Sequence, residues 1–216
     1  ALHLQPQVDL DSGRCFGAEA LLRWQRGNGE WVPPYHTLAA VERLGLRQTF
    51  NRWLLQHAMQ IQVDLAAAGV DIVLSLNLSA NDLLDPELPD VIGQALATWE
   101  LPPAGFLLEI TETMMVEETR QVMDVLDRLR ALGLALAIDD FGTGYAGMSY
   151  LQRLPVQEVK IDQSFVREGV RSDRNREIMA SIIQLAGRLQ LQVIAEGVET
   201  EEMCRVVRDL GCHRGQ

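Results

Sequence analysis

Residues 134–147, LALAIDDFGTGYAG, decide how the rest of the chain is read. The first five form a continuous apolar run, the pattern of a short strand covered on both faces, as in parallel sheets flanked by helices. Asp139 and Asp140 follow where such a strand leaves its sheet. Adjacent carboxylates there are costly to bury unless protonated, hydrogen-bonded or bound to cations. Metal is the natural partner for such a pair. Behind them Gly142, Gly144 and Gly147 make a loop whose backbone can approach a ligand closely. Strand, acid pair and glycine loop together predict the mouth of an active site.

The same glycines spell G-x-G-x-x-G, the fingerprint of a dinucleotide-binding turn, and Asp162 lies about 20 residues on, as that fingerprint asks. The context argues against it. The fingerprint needs its first glycine at the strand end and a helix directly behind the last. Here Asp139 and Asp140 intervene, Pro155 stops any long helix, and a diphosphate would meet two uncompensated carboxylates.

The chain has 216 residues, enough for one large domain with a substantial core. Its 30 acidic residues against 19 basic leave a net charge of -11, which disfavours polymeric nucleic acid or an anionic membrane surface as partner. No apolar run approaches the roughly 20 residues of a membrane span. Cys15, Cys204 and Cys212 show no C-x-x-C spacing, which suits a reducing, cytoplasmic setting and not a disulfide or zinc framework. The histidines offer no H-x-x-x-H pair either, so any metal is expected on oxygen ligands.

In order along the chain, residues 2–10 and 15–24 read as a strand pair around a turn at 11–13, with Glu19 inside the second run. A loop at 27–34 leads to helices at 35–44 and 48–68. Trp53, Leu54, His57, Ala58 and Ile61 form the expected core stripe of the second. A strand at 72–78 ends at Asn77, with Ser79 as a helix N-cap. Further helices are predicted at 88–99, 117–132, 173–189 and 201–210. Strands are predicted at 106–110, carrying Glu109 with Glu112 just beyond, at 156–161, carrying Lys160, and at 192–195, followed by Glu196. About seven strands alternate with helices over short connections, which predicts one parallel (β/α) barrel of the TIM type. The chain stops at Gln216, where one more strand is expected, so the barrel is expected to lack its last strand and helix.

Glu19, Asn77, Glu109, Asp139, Asp140, Lys160 and Glu196 all fall near strand carboxyl ends, where barrel enzymes build their sites. Several carboxylates and an amide converging on one cavity call for divalent cations, Mg²⁺ or Mn²⁺ in preference to zinc. Two metals sharing Asp139 would polarise a phosphoryl group and activate water, with Lys160 remaining a cation beside it. A Schiff base on Lys160 is the alternative, but it needs an apolar or cationic neighbourhood that these acids deny.

These blocks carry a resemblance. LHLQPQVDL, GAEALLRW, SLNLSA, LLEITET, LAIDDFGTGYAGMSYLQRLPV, VKIDQSF and VIAEGVET follow one another as in the EAL domain family of cyclic di-GMP phosphodiesterases, along essentially all of residues 1–216. The resemblance implies a (β/α)8-type barrel whose first strand runs against the others, and hydrolysis of cyclic di-GMP to linear pGpG by water activated between two Mg²⁺ or Mn²⁺ ions. It implies that Glu19, Asn77, Glu109 and Asp139 hold one metal, that Asp139, Asp140 and Glu196 hold the other, and that Lys160 positions the water. Arg23, Gln5 and Gln216 would meet substrate, and Glu112 would tether the loop after Asp140. A homodimer and covalently linked sensory or GGDEF domains are the implied partners. Thr37, Leu38 and Ala39 depart from the family's usual Phe-Ile-Pro, and Ala146 and Gly147 from a usual pair of serines. The alternative function is a catalytically silent receptor for cyclic di-GMP; a purely structural barrel would leave the acid cluster an unexplained electrostatic cost.

Overall fold

In the computed structural model, which describes residues 1–112, 119–143 and 151–216, the apolar run enters a strand at Ala135, one residue later than expected, and the strand continues past it. This strand, β7 (Ala135–Phe141), still contains Asp139 and Asp140. Its pairing slips between Ile138 and Phe141, and Asp140 takes a positive φ of 55°, so the acid pair sits on an irregular strand end.

The other strands are β1 (Leu2–Asp9), β2 (Cys15–Leu22), β3 (Trp24–Gln25), β4 (Trp31–Val32), β5 (Val73–Asn77), β6 (Phe106–Thr111), β8 (Glu158–Ile161), β9 (Gln192–Ala195) and β10 (Arg214–Gly215). Eight of them close a barrel in the order β1-β10-β9-β8-β7-β6-β5-β2, and β3 with β4 forms a separate small hairpin. From β2 round to β10 all neighbours are parallel; β1 alone runs antiparallel, to β2 and to β10.

The expected absence of a closing strand is therefore corrected. Arg214 and Gly215 pair with Asp9 and Val8, Gly215 also faces Ala195, and Gln216 N donates to Ala195 O at 3.0 Å. Two residues carry no periodicity to read, and only their partners on either side make them a strand. The same holds for the hairpin found where a plain loop was expected at 27–34.

Helices α1 (Pro34–Arg43), α2 (Arg47–Ala67), α3 (Ala80–Leu83), α4 (Leu88–Trp99), α5 (Arg120–Ala131), α6 (Gln163–Gly169), α7 (Asp173–Arg188) and α8 (Glu201–Asp209) wrap the sheet. Side-chain oxygens start several of them: Ser79 caps α3 in a capping box with Asp82, and Thr119, Ser172 and Thr200 cap α5, α7 and α8. The expected start of α5 at 117 lies outside the described residues, and α6 was not anticipated. In α2 the buried residues are Leu55, Ala58 and Met59, whereas His57 is exposed and lies tilted against Trp53 with ring centres 4.3 Å apart. Of the expected stripe Ala58 is buried and Ile61 packs against the core, while Trp53 and Leu54 are half-buried; with apolar residues on most of the circumference, the pattern alone did not single out Leu55 and Met59.

Strand parity sorts the barrel into two chemistries. Leu74, Leu76, Leu108, Ile110, Leu136 and Ile138 join the helices in one apolar cluster. The alternate positions, Ser75 with Asn77, Glu109, Asp139, and Glu158 with Lys160, share the opposite face, inside the barrel. No helix among the described residues is long and apolar enough to cross a membrane.

Because Leu136 is wholly buried between sheet and helices, Leu136→Ala is expected to cost about 2–5 kcal/mol of unfolding free energy in urea titrations. Leu44→Ala, at a residue 66% exposed, should stay within about 0.5 kcal/mol. Equal losses would contradict this placement of the core.

Candidate active site

Five parallel strands end around one ammonium group. Lys160 is wholly buried, and its Nζ lies 2.7 Å from Glu196 Oε1, 3.0 Å from Glu109 Oε2, 3.2 Å from Glu19 Oε2 and 3.3 Å from Asp139 Oδ1. Glu19, Glu109 and Asp139 are buried as well. The register explains the convergence: Glu109 is level with Asn77, Glu19 with Ser75, and Lys160 with Ile194 two residues before Glu196.

Around this centre the amides are ordered. Asn77 Nδ2 donates to Glu19 Oε1 at 2.6 Å, which leaves its carbonyl oxygen free of that bond, and Gln216 Nε2 donates to Glu19 Oε2. Asp139, Asp140 and Glu196 each offer an oxygen within 4.8 Å of the others. Glu112 Oε2 accepts from Gly142 N at 2.7 Å. Gly142 has φ of 101° and a Cβ there would stand 2.7 Å from the Phe165 ring, so only glycine follows Phe141 in this path. Gly144, Ala146 and Gly147 lie outside the described residues.

Among the described residues, two expected substrate groups, Gln5 and Arg23, are not hydrogen-bonded to the cluster. Gln5 is exposed on β1 opposite Glu19, and the Arg23 guanidinium donates to its neighbour's carbonyl, Leu22 O, at 2.9 Å. Arg23 also borders an apolar hollow of about 330 Å³ walled by Leu22, Trp24, Phe50 and Trp53. Sequence reading passed over Gln7, which is 2% exposed and donates from Nε2 to Gln216 Oε1 at 2.8 Å. Its signal was a second glutamine two residues after Gln5, on the same strand face.

The electrostatics follow from four carboxylates sharing one ammonium. Burial pushes Glu109 up to about 8, with Glu19 and Asp139 adding to the shift against the pull of Lys160. Burial likewise raises Glu196 to about 7 and, with the Asp139 charge, Asp140 to about 6. Burial also works to raise Glu19, but the Lys160 charge and the bonds from Gln216 and Asn77 outweigh it and hold the group below its ordinary value. For Lys160, burial alone would lower the value; the surrounding acids overcome it and keep the ammonium protonated well above its usual range.

Divalent cations fit this donor set. All the donors are oxygens, negative charge is in surplus, and the buried Glu109 Oε1 has no hydrogen-bond partner among the described residues.

The family model for the EAL domain matches residues 1–216. This chain belongs to the EAL domain family. It is 36% identical over 212 residues to a cyclic di-GMP phosphodiesterase of Pseudomonas aeruginosa, a match that covers 98% of this EAL domain and 36% of that protein. Among solved structures, the MucR phosphodiesterase of Pseudomonas aeruginosa in its cyclic di-GMP complex superposes with a TM-score of 0.92 at 35% identity, covering 100% of this chain and 88% of that one. The EAL domain of FimX from Pseudomonas aeruginosa, bound to cyclic di-GMP, gives 0.88 at 28% identity, covering 100% and 86%. This EAL domain spans about a third of the length of the curated relatives it matches.

The raised groups set a pH dependence for the cation-free protein. Glu109 and Glu196 hold their protons to about 8 and 7, against 4.5 ordinarily, so between about pH 5 and pH 8 the folded state binds more protons than the unfolded one. Stability in chelator is thus expected to fall as pH rises through that window, read as a declining melting temperature, and Glu109→Gln should flatten the decline. Saturating Mg²⁺ should raise the melting temperature most at the alkaline end, because cations require ionised carboxylates. A melting temperature that climbs with pH in chelator would contradict the burial-driven shifts.

Proposed function

We propose that this EAL domain is a metal-dependent phosphodiesterase that opens cyclic di-GMP to linear pGpG. One observation carries the reading: Glu19, Glu109, Asp139 and Glu196 meet at Lys160, with Asn77 bonded to Glu19 and Asp140 grouped with Asp139 and Glu196. Relatives named for this reaction support the choice of substrate.

In this assignment Glu19, Asn77, Glu109 and Asp139 hold one Mg²⁺ or Mn²⁺, and Asp139, Asp140 and Glu196 hold a second. Bound cations would offset the surplus negative charge, polarise the phosphodiester and acidify the attacking water. Lys160, kept cationic by its acids, donates a hydrogen bond that places this water and stabilises developing negative charge. Arg23 and Gln5, at the rim, meet substrate phosphate and base, while Gln216 steadies Glu19. Glu112 holds the Gly142 amide and with it the chain leaving Asp140. Water oxygen joins phosphorus as the bond to one ribose 3′-oxygen breaks, and that oxygen departs with a proton; a second ester bond survives, which makes the product linear pGpG.

The assignment extends to context. This domain works in the cytoplasm, pairs as a homodimer and serves as one module beside sensory or GGDEF domains; the greater length of the curated relatives supports the last point.

The test is incubation with cyclic di-GMP and Mg²⁺ or Mn²⁺, followed by chromatography of the products. Linear pGpG should appear, vanish with chelator and with Glu19→Ala, and form roughly 10²- to 10⁴-fold more slowly with Lys160→Met. Intact substrate that calorimetry nevertheless finds bound would replace the enzyme by a cyclic di-GMP receptor.

A further inference from the structure

Gln7 is a primary amide buried inside the barrel, on the one strand that runs against the rest. Its setting is built in three ways. First, Gln7 faces Gly17, where a Cβ would stand 2.5 Å from Gln7 Oε1 and 3.3 Å from Val73 O; the side chain lies across β2 only because Gly17 has none. Second, the ladder slips immediately after this pair. Gln7 faces Gly17 but Val8 faces Cys15, so Phe16 is the extra residue of a β-bulge, a device that re-aims neighbouring side chains. Third, Gln7 Nε2 donates to Gln216 Oε1 at 2.8 Å, and Gln216 Nε2 donates in turn to Glu19 Oε2.

The order of donors in that chain is chemically forced. An amide's oxygen and nitrogen are nearly the same size, so its sense is set by partners and not by shape. Ionised Glu19 can only accept, and Gln216 must therefore turn its NH₂ toward it. That leaves Gln216 Oε1 to accept from its other side, and Gln7 supplies the donor. Without this donor Gln216 Oε1 is left unpaired on this side, and Glu19 alone holds the amide in its sense.

We propose that Gln7 is a positioning residue, which fixes the sense of the Gln216 amide and through it holds the Glu19 carboxylate in place for a divalent cation. The proposal rests on the assignment of Glu19 to a cation made above.

The experiment measures Mn²⁺ affinity by calorimetry on chelator-stripped protein, with no turnover involved. Gln7→Leu keeps the volume and removes the donor; it should weaken Mn²⁺ binding roughly tenfold, as loss of an outer hydrogen-bond partner does. Gln7→Glu supplies only acceptors, inverts the Gln216 amide and should weaken binding further. Loss of a buried hydrogen bond lowers the melting temperature in any case, so the deciding comparison is made in a Gln216→Leu background, where Gln7→Leu should cost no additional affinity. Gln7→Met, of similar length and without an amide, repeats the test if the leucine variant does not fold. Unchanged Mn²⁺ affinity in Gln7→Leu, or an equal loss in both backgrounds, overturns the proposal alone. A wild-type protein that takes up no Mn²⁺ overturns the cation assignment and this proposal with it.

Discussion

A wholly buried ammonium among four carboxylates is the interaction on which the barrel's interior depends. An isolated buried charge costs several kcal/mol even after relaxation, and removing one partner of a buried pair costs about 3–5 kcal/mol. Lys160 is tolerable because its partners surround it, and the acids are tolerable because Lys160 is there. The match is uneven, with four acids around one cation, and burial, with neighbouring acids adding to it, keeps Glu109 and Glu196 above their ordinary values. The same excess makes the cluster a receptive place for further positive charge.

Such a cluster requires a closed sheet. In β6, β7 and β8 the polar residue lies on the inner face and Leu, Ile or Val neighbours lie on the outer one, so one alternation serves both the helix-covered core and the site. The irregularity at Asp140, with its positive φ, lets two consecutive residues both reach the mouth, which a regular strand would forbid. The reversed strand β1 adds Gln5 opposite Glu19 and Gln7 two residues on, which reaches Glu19 through Gln216, while Asn77 of β5 bonds Glu19 from the other flank.

Much of this is legible in the sequence alone. The helix at 88–99 was read to the residue, the strand at 192–195 likewise, and Ser79 was recognised as a cap from its place after a strand. These are local signals, set by periodicity and by the hydrogen-bonding needs of helix ends. What escaped was short or two-sided. The closing strand and the Trp24–Trp31 hairpin have two residues per strand, and α2 carries apolar groups on too many sides for its buried line of Leu55, Ala58 and Met59 to stand out.

The sequence by itself determined that doubly apolar strands alternate with helices and that acids, an asparagine and a lysine recur at the strand ends, because both are properties of neighbours along the chain. Only the tertiary structure decided that β10 closes the ring, that four carboxylates share the Lys160 ammonium, and that Gln7 orients Gln216 against Glu19. Those contacts join residues 20 to 209 positions apart, from Gly215 and Ala195 to Gln7 and Gln216, and their geometry comes from strand register, which no stretch of sequence carries alone.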